Sequence, residues 1–259
     1  MRTVHFEQLR PHEIMEEKNR CPVVYVPIGP LEWHGPHLPY GTDPLNAAAV
    51  SERVAQEVGG VVLPTLFWGT ERERSAATLK SIGFEGNEWV IGMDFPANTM
   101  PSFYCREEVF GIIIHEQLSM LVRQGYKLIM LMNGHGAINH MNVLKRLAAQ
   151  FSAESGVRVV HEICLQSDKG LEGLGHATEI ETSLLMHLHP GSVDLNQLPP
   201  KGEKIYSTQT AIVDEDAFHL NPAPDFSVQA DPRDSTVESG RATFENTVRL
   251  VTALVQKEL

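Results

Sequence analysis

The sequence predicts an α/β protein with three layers, in which helices cover both faces of a mostly parallel β-sheet. The first observation is that predicted strands and helices alternate along the 259 residues, an order typical of parallel sheets. The second is that two predicted strands, Pro22–Ile28 and Lys127–Met132, are short and almost wholly apolar, as expected for strands buried on both faces. Neither an internal repeat nor a linker interrupts this pattern, so residues 1–259 are expected to form a single domain.

The predicted elements follow from local patterns along the chain. The predicted strands are the β-branched run Pro22–Ile28, then Val61–Leu66, Lys127–Met132 and Val157–Ile163. Helices are predicted where apolar residues recur at helical spacing: Pro44–Val58, Arg106–Gln124, Ile138–Ser155, Glu179–Leu188 and Ser239–Glu258. Asp43 is predicted as the N-cap of the first of these helices, because Asp is favoured there and Pro at the first helical position. Segments rich in Gly and Pro are predicted as loops: Phe67–Cys105, Lys169–Gly175 and 190–236.

The charge and composition exclude several classes of protein. The formal net charge is −12, and the sequence has no basic stripe, so we expect neither a nucleic-acid binder nor a protein of anionic membranes. No apolar run approaches the roughly 18 residues that a transmembrane helix needs. The first ten residues are charged where a signal peptide is apolar. Three widely spaced cysteines favour a reducing compartment, so a cytoplasmic location is expected.

Histidines and carboxylates follow the predicted strands. Glu32 and His34 come just after the first strand, and side chains two residues apart in an extended chain point the same way. Asp43 lies at the start of the next helix, and His135 follows a later strand within the sequence NGHG. Each residue also has an ordinary interpretation: an exposed Glu-x-His, a helix cap, or a turn that happens to contain histidine. The carboxyl ends of parallel strands, however, are where α/β proteins bind ligands.

A third group follows the last predicted strand. The segment His176-Ala-Thr-Glu-Ile-Glu contains His176, Glu179 and Glu181 at the start of a helix. Capping by Thr178 and interaction of the carboxylates with the helix dipole would also explain this composition. Three groups of His and carboxylate at three strand ends favour a metal site over capping. Without a nearby cysteine, the ligand set is that of Zn, Mn or Fe.

Three motifs carry a resemblance to a known family. The segments PIGPLEWHGPHLPYGTD, NGHGAIN and HATEIETS, within residues 27–183, resemble the motifs of the creatininase (creatinine amidohydrolase) family of metal-dependent hydrolases. The resemblance implies a three-layer α/β/α fold, a centre of two divalent metal ions, with Zn or Mn favoured over Fe, and a homo-oligomer, often a hexamer. It also implies that a metal-bound hydroxide cleaves a C–N bond, in a cyclic amide or formamide, of a small polar substrate.

The resemblance also implies roles for individual residues. Glu32 and His135 would bind the first metal, His34 the second, and Asp43 would bridge both. The family has a carboxylate two residues after the histidine of the NGH motif, where this chain has Ala137. The second metal therefore needs another ligand, for which Glu181 is the first choice and Glu179 the reserve.

Two further histidines complete the predicted site. His176 resembles the family's proton donor to the leaving atom, a task that suits a side chain whose charge changes near neutral pH. His37 is expected to orient a ligand. The other histidines are expected to be structural or exposed; they are His5, His12, His115, His140, His161, His187, His189 and His219.

The resemblance leaves the substrate open. A tryptophan that covers the substrate in creatininase corresponds here to Glu172, which suits a hydroxyl-rich or cationic substrate. Ring-opening hydrolysis of a cyclic polyhydroxy ketone of the keto-inositol type is therefore the main alternative. A non-catalytic binding protein is a further alternative, motivated by Ala137. Polar residues of the segment Phe67–Cys105 could line the pocket, or they could serve only in loop packing; they are Trp68, Glu71, Arg72, Arg74, Trp89, Asp94, Tyr104 and, just beyond it, Arg106.

Overall fold

The computed structural model describes residues 3–92, 94–96, 98, 100–166, 175–203, 205 and 230–259. Its strands are β1 (Val23–Ile28), β2 (Val61–Val62), β3 (Leu128–Asn133) and β4 (Arg158–Ile163). Its helices are α1 (Pro11–Arg20), α2 (Thr42–Val58), α3 (Ala76–Ser81), α4 (Glu107–Arg123), α5 (Ile138–Ser155), α6 (Glu179–Leu188) and α7 (Val237–Glu258). Glu172, His219 and most of the predicted loops Lys169–Gly175 and 190–236 lie outside the described residues.

The strands form one parallel sheet in the order β2-β1-β3-β4. The register pairs Ile28 with Asn133 and Asn133 with Ile163, so three strands end at the same level. The loops that leave these ends carry the predicted site residues. The register of the sheet therefore decides that distant motifs meet at one edge.

Two apolar cores lie on opposite faces of the sheet. Alternate residues of β1 point to opposite sides: Val23 and Tyr25 pack toward α2 and α7, whereas Val24 and Val26 pack toward α4 and α5. Helix α6 contributes Leu184 to the first of these cores. Helices therefore cover both faces, which confirms the predicted three-layer α/β/α architecture.

Several local predictions need correction. Helix α1 was not predicted, and the predicted strand Val61–Leu66 shortens to Val61–Val62, with Leu66 forming only an isolated bridge to Ile28. The predicted loop Phe67–Cys105, which we call the insert, contains helix α3 and an antiparallel bridge between Glu73 and Ile91. Short elements of this kind are set by tertiary contacts that local sequence patterns do not show.

The prediction that Asp43 is an N-cap is wrong. Helix α2 begins at Thr42 with Gly41 as its N-cap, so Asp43 lies inside the first turn. Its carboxylate contacts two histidines instead of the helix backbone. The physical reason is that contacts to buried imidazoles satisfy both carboxylate oxygens, whereas a cap would have used one of them for a backbone N–H.

The helices and the cysteines relate to the expectations about membranes and the redox compartment. None of the described helices is long and apolar enough to cross a membrane. Cys21, Cys105 and Cys164 are all free thiols.

Candidate metal centre

The carboxyl edge of the sheet carries a group of buried ionisable side chains, which we call the strand-end cluster. It consists of Glu32, His34, Asp43, His135, His176 and Glu181. Asp43 lies at its centre: its Oδ1 is 3.1 Å from His34 Nε2 and its Oδ2 is 2.9 Å from His135 Nδ1. The same His135 Nδ1 is 2.9 Å from Glu32 Oε2. The structure thus brings the predicted site residues together from all three motifs.

Within this cluster, two groups of three donors share Asp43. Glu32, Asp43 and His135 form one group, and His34, Asp43 and Glu181 form the other. In each group the candidate ligand atoms lie within 4.8 Å of one another. A carboxylate shared by two sets of donors would suit two neighbouring ions. A third group combines Glu32, His34 and His176.

The tautomer of His34 suits metal binding. Its Nδ1–H donates to the backbone carbonyl of Glu32 at 3.1 Å, because a carbonyl oxygen can only accept. The other ring nitrogen, Nε2, therefore has its lone pair toward Asp43 when the ring is neutral. A backbone carbonyl that orients a ligating imidazole in this way is a common feature of metal sites.

His176 lies beside the two groups of donors. Its Nε2–H donates to the backbone carbonyl of Trp33 at 2.6 Å, and its Nδ1 is 3.7 Å from Glu32 Oε1. The ring lies 4.3 Å from that of His34, centroid to centroid. The next residue, Ala177, has φ 55°, a left-handed conformation that is strained for a residue with a side chain. Its backbone N–H donates to Glu181 Oε2 at 2.5 Å, so this strained turn also holds the carboxylate of Glu181.

Glycines on two strand-end loops let the cluster form, and the sequence analysis did not identify them. A Cβ on Gly134 would lie 2.2 Å from the carbonyl oxygen of Asp43, and one on Gly29 would lie 2.8 Å from its Cβ. Asp43 therefore fits between the loops after β1 and β3 only because both positions lack a side chain. The Asn133 side chain adds support, since it bonds both the N–H and the carbonyl of His135.

The structure separates the two candidate glutamates. Glu181 is buried in the cluster, whereas Glu179 accepts hydrogen bonds from the hydroxyls of Ser183 and Ser239. His37 bonds Thr182, the neighbour of Glu181, at 2.9 Å, as expected for a residue that orients this turn. Ala137 is the N-cap residue of α5 and lines the cavity beside the cluster.

The electrostatics of the cluster follow from burial and close pairing. Burial by itself would lower the pKa of His34, yet the charge of Asp43 and its hydrogen bond raise that pKa to about 10. Burial would likewise raise the pKa of Asp43, but His34 and His135 hold it well below its usual range. For Glu181, burial outweighs the attraction of His34 and His176, so its pKa is raised.

The residues present fit a divalent metal centre. Glu32, Asp43 and Glu181 are each less than 10% exposed, and among the described residues no lysine or arginine pairs with them. A buried carboxylate without a cationic partner is costly, and here only protonated imidazoles compensate the charge. Divalent ions would compensate three buried carboxylates and leave the imidazoles neutral, as ligands must be.

The cluster opens into a cavity of about 360 Å³. From the insert, Glu71 and Arg72 line this cavity, and Arg74 supports Glu71 from behind with a 2.8 Å bond. Asp94 supports the loop after β1 through Ser102. It accepts a hydrogen bond from the hydroxyl of Ser102, and that hydroxyl accepts one from the backbone N–H of Trp33. The insert therefore supports the loop that carries Glu32 and His34.

Other insert residues lie around a second cavity. Trp89, Asp94 and Tyr104 line this space of about 470 Å³, and Arg106 lies over the Trp89 ring at 4.8 Å. Tyr104 is half-buried with its hydroxyl shielded from solvent, and its ring lies 5.8 Å from that of His135. Burial and the nearby charge of Glu32 raise the pKa of Tyr104 well above its usual value.

A family model matches nearly the whole chain. It is the creatininase model, described as creatinine amidohydrolase, and it covers residues 7–255. The chain belongs to the creatininase family. As a member of this family, the protein is an enzyme of the metal-dependent hydrolase class.

Several named proteins are similar in sequence. Creatinine amidohydrolase of Pseudomonas putida is 26% identical over 260 residues, which cover 91% of this chain and 89% of the relative. Mycofactocin precursor peptide peptidase of Mycobacterium ulcerans is 26% identical over 242 residues, which cover 88% of this chain and 82% of the relative. A shorter match, to 3-dehydro-scyllo-inosose hydrolase of Thermotoga maritima, is 25% identical over 133 residues and covers 51% of this chain and 36% of that protein.

Solved structures share the fold. A crystal structure of creatinine amidohydrolase (creatininase) superposes with a TM-score of 0.70 at 22% identity, covering 100% of this chain and 98% of the other. A manganese creatininase superposes with a TM-score of 0.69 at 20% identity, and the match covers 99% of both chains. A mutant creatininase of the Zn-Zn type superposes with a TM-score of 0.68 at 22% identity, and the match covers 100% of this chain and 99% of the other. These likenesses confirm the predicted creatininase-like fold.

Proposed function

We propose that this protein hydrolyses a C–N bond of a small polar substrate, a cyclic amide or a formamide, at a centre of two divalent metal ions. The observation that carries the proposal is the pair of three-donor groups that share Asp43, buried at the base of a cavity. His176 lies at the same cavity, where it can reach a bound substrate. Zn and Mn are the favoured ions, in keeping with the ions named for the similar creatininase structures.

The proposed ligands divide between the two ions. Glu32 and His135 would hold one, His34 and Glu181 would hold the other, and both would share Asp43. Each ion would then have three protein ligands, as in catalytic zinc sites that keep one position open, so no carboxylate would be required at Ala137. Bound there, two ions would lower the pKa of a shared water and polarise a carbonyl oxygen of the substrate.

His176 is proposed to deliver the proton to the leaving nitrogen. Because its Nε2–H is held by the carbonyl of Trp33, the proton that it exchanges must be at Nδ1. Nδ1 lies 3.7 Å from Glu32 Oε1, so this nitrogen faces the residues that would hold the metal ions. Proton transfer by a positioned group of this kind contributes about 10²–10⁴-fold to rate.

The main alternative is ring-opening hydrolysis of a cyclic polyhydroxy ketone of the keto-inositol type. The partial match to an inosose hydrolase favours it, as does the acidic character of the cavity, which contains Glu71 besides the cluster. The same centre could serve both reactions, since each begins with attack of water on a carbonyl group.

We also propose a homo-oligomer, hexameric as the family resemblance implies, in a reducing cytoplasm. Support for an interface comes from exposed apolar side chains, which include Ile112 and Ile138 at 64% and 65% exposure. The free thiols support the reducing compartment.

A hydrolysis panel tests the reaction. Protein loaded with Zn or with Mn is assayed against creatinine, small lactams, formamides and inosose-type ketones, with metal content measured on the same samples. We expect two metals per chain and turnover of an amide. Turnover of the ketones alone would favour the alternative, whereas less than one metal per chain would contradict both.

A matched pair of variants tests the ligand set. We expect Glu181→Gln to reduce the metal content from two ions to one, because it removes a donor from the group with His34. Glu179→Gln serves as control, since Glu179 bonds only serine hydroxyls and its loss should leave the metal content at two. Equal metal loss in both variants would overturn the assignment of Glu181.

A further inference from the structure

Arg72 is the only lysine or arginine among the described residues that line the cavity of the strand-end cluster. The same cavity is also lined by the apolar residues Ala137, Ile138, Ile163 and Leu165. The space above the cluster therefore offers both a cationic group and apolar surface. A substrate that fills it should carry groups that match both.

The guanidinium of Arg72 is held in place yet keeps donors for a ligand. Its Nε–H donates to Glu71 Oε1 at 3.1 Å, and no other hydrogen bond of this side chain occurs within the described part of the chain. Glu71 is itself fixed from behind by Arg74, whose side chain is only 13% exposed. The two Nη groups of Arg72 therefore remain available to a bound molecule, whereas Arg74 serves to support Glu71.

The backbone around Arg72 is also fixed. Its carbonyl accepts from the N–H of Gly92 at 3.0 Å, and Arg74 N–H donates to the carbonyl of Val90 at 2.9 Å. These bonds make a short antiparallel pair inside the insert. Arg72 is therefore presented from a paired strand segment and not from an unsupported loop tip.

We propose that Arg72 binds a carboxylate of the substrate, so that the preferred substrate is a small amide bearing both a carboxylate and an apolar group. This inference rests on the proposed function, since it names the substrate class of the same site. Two Nη–H groups of one arginine match the two oxygens of a carboxylate. A phosphate dianion fits less well, because one arginine must then compensate two charges in a cavity that already contains Glu71.

The binding experiment uses ligands that the enzyme cannot hydrolyse. Dissociation constants of 4-methylpentanoate and 4-methyl-1-pentanol, which share an apolar tail, are measured calorimetrically with the zinc-loaded protein. We expect Arg72→Gln to weaken binding of the carboxylate about tenfold and to leave the alcohol unchanged, since Arg72 is partly exposed to water. Arg72→Lys should restore part of the loss, because a lysine keeps the charge without the paired donors.

A control and a substrate pair complete the test. Arg106→Gln should leave both ligands unaffected, because Arg106 lies over Trp89 outside this cavity. In turnover assays, N-formyl-leucine should be preferred over N-formyl-leucinamide in kcat/KM, and Arg72→Gln should remove that preference.

The outcomes separate this inference from the proposed function. If the carboxylate binds equally well to Arg72→Gln and to the unaltered protein, the carboxylate is held elsewhere and the inference is wrong. If Arg72→Gln loses carboxylate binding while no amide in the panel is hydrolysed, the role of Arg72 in carboxylate binding stands, and the proposed reaction, with the amide that it names, fails. If amides are hydrolysed with no preference for a carboxylate, the inference alone fails.

Discussion

The strand-end cluster and the insert meet at the same cavity, but they are built in different ways. The cluster is placed by the parallel register, which brings Ile28, Asn133 and Ile163 level, and its carboxylates and imidazoles are buried or nearly so. The insert is placed by separate hydrogen bonds along its length, such as those of Ser102 to Asp94 and to Trp33 N–H and the backbone bond from Phe103 N–H to the carbonyl of Leu31. We infer that the sheet fixes the chemistry, whereas the insert shapes the cavity entrance. Changes in the cluster should therefore affect metal content and rate far more than changes in the insert.

The largest effect is expected for Asp43→Ala. Loss of the carboxylate shared by both donor groups should abolish metal binding and lower turnover by at least about 10³-fold. No helix cap is lost with it, because Gly41 caps α2. Glu57→Ala, at the exposed end of the same helix, is the control. Retained turnover in Asp43→Ala would show that the cluster does not work as one unit.

His176→Gln should leave the metal content unchanged and lower kcat by about 10²–10⁴-fold, because it removes the proposed proton at Nδ1. Metal analysis and steady-state kinetics on the same preparation check both parts. His187→Gln on α6, whose ring packs against Phe244, is the matched control. A rate close to that of the unaltered protein would remove His176 from the mechanism.

Gly134→Ala tests whether backbone approach, and not only ligand chemistry, builds the cluster. Its Cβ would overlap the carbonyl of Asp43, so we expect a stability loss of about 1–3 kcal/mol and a weaker affinity for zinc. Gly136→Ala is a sharp control, since a Cβ there meets nothing within 4 Å. Equal behaviour of the two variants in denaturant unfolding and zinc titration would contradict this account.

Zinc binding to the metal-free protein should release protons. Because the pKa of His34 is raised to about 10 and that of His135 is also raised, both imidazoles are charged at pH 7 and must lose protons to bind a metal. Affinity for zinc should therefore rise with pH, about tenfold per unit for each proton released. Calorimetry in buffers of different ionisation enthalpy measures the number of protons released per zinc ion. Heats of binding that do not depend on the buffer would refute the predicted proton release.

The smallest effect is expected in the insert. Ser102→Ala removes the hydroxyl that accepts from the N–H of Trp33 and donates to Asp94, so we expect a stability loss of about 1–3 kcal/mol with metal content unchanged and only a small change in rate. Ser192→Ala, at an exposed hydroxyl, controls for the substitution itself. Loss of metal in Ser102→Ala would erase the distinction between the two regions.

The sequence analysis succeeded where a local pattern has one physical cause. Apolar runs followed by glycine are typical of buried parallel strands, as in β1 and β3. The bounds of β1, β3 and β4 were predicted within one residue at either end. Asp43 was placed near the correct site for the wrong local reason: the Asp-Pro pair resembles a cap, but the carboxylate contacts imidazoles. Helix α3 and the pairing of Arg72 with Gly92 depend on long-range contacts, so no local pattern indicated them.

By itself, the sequence determined which side chains are able to bind a metal ion or transfer a proton. It also determined that these side chains follow the ends of strands. Both are properties of short segments, because they depend on residue type and on the local pattern of apolar residues. Only the tertiary structure decided which of them meet. It separated Glu181 from Glu179, gave Gly29 and Gly134 their role around Asp43, and brought Arg72 and the apolar residues to the same cavity. These outcomes depend on the register of the sheet and on close approach between distant loops, which cannot be derived from residues considered one segment at a time.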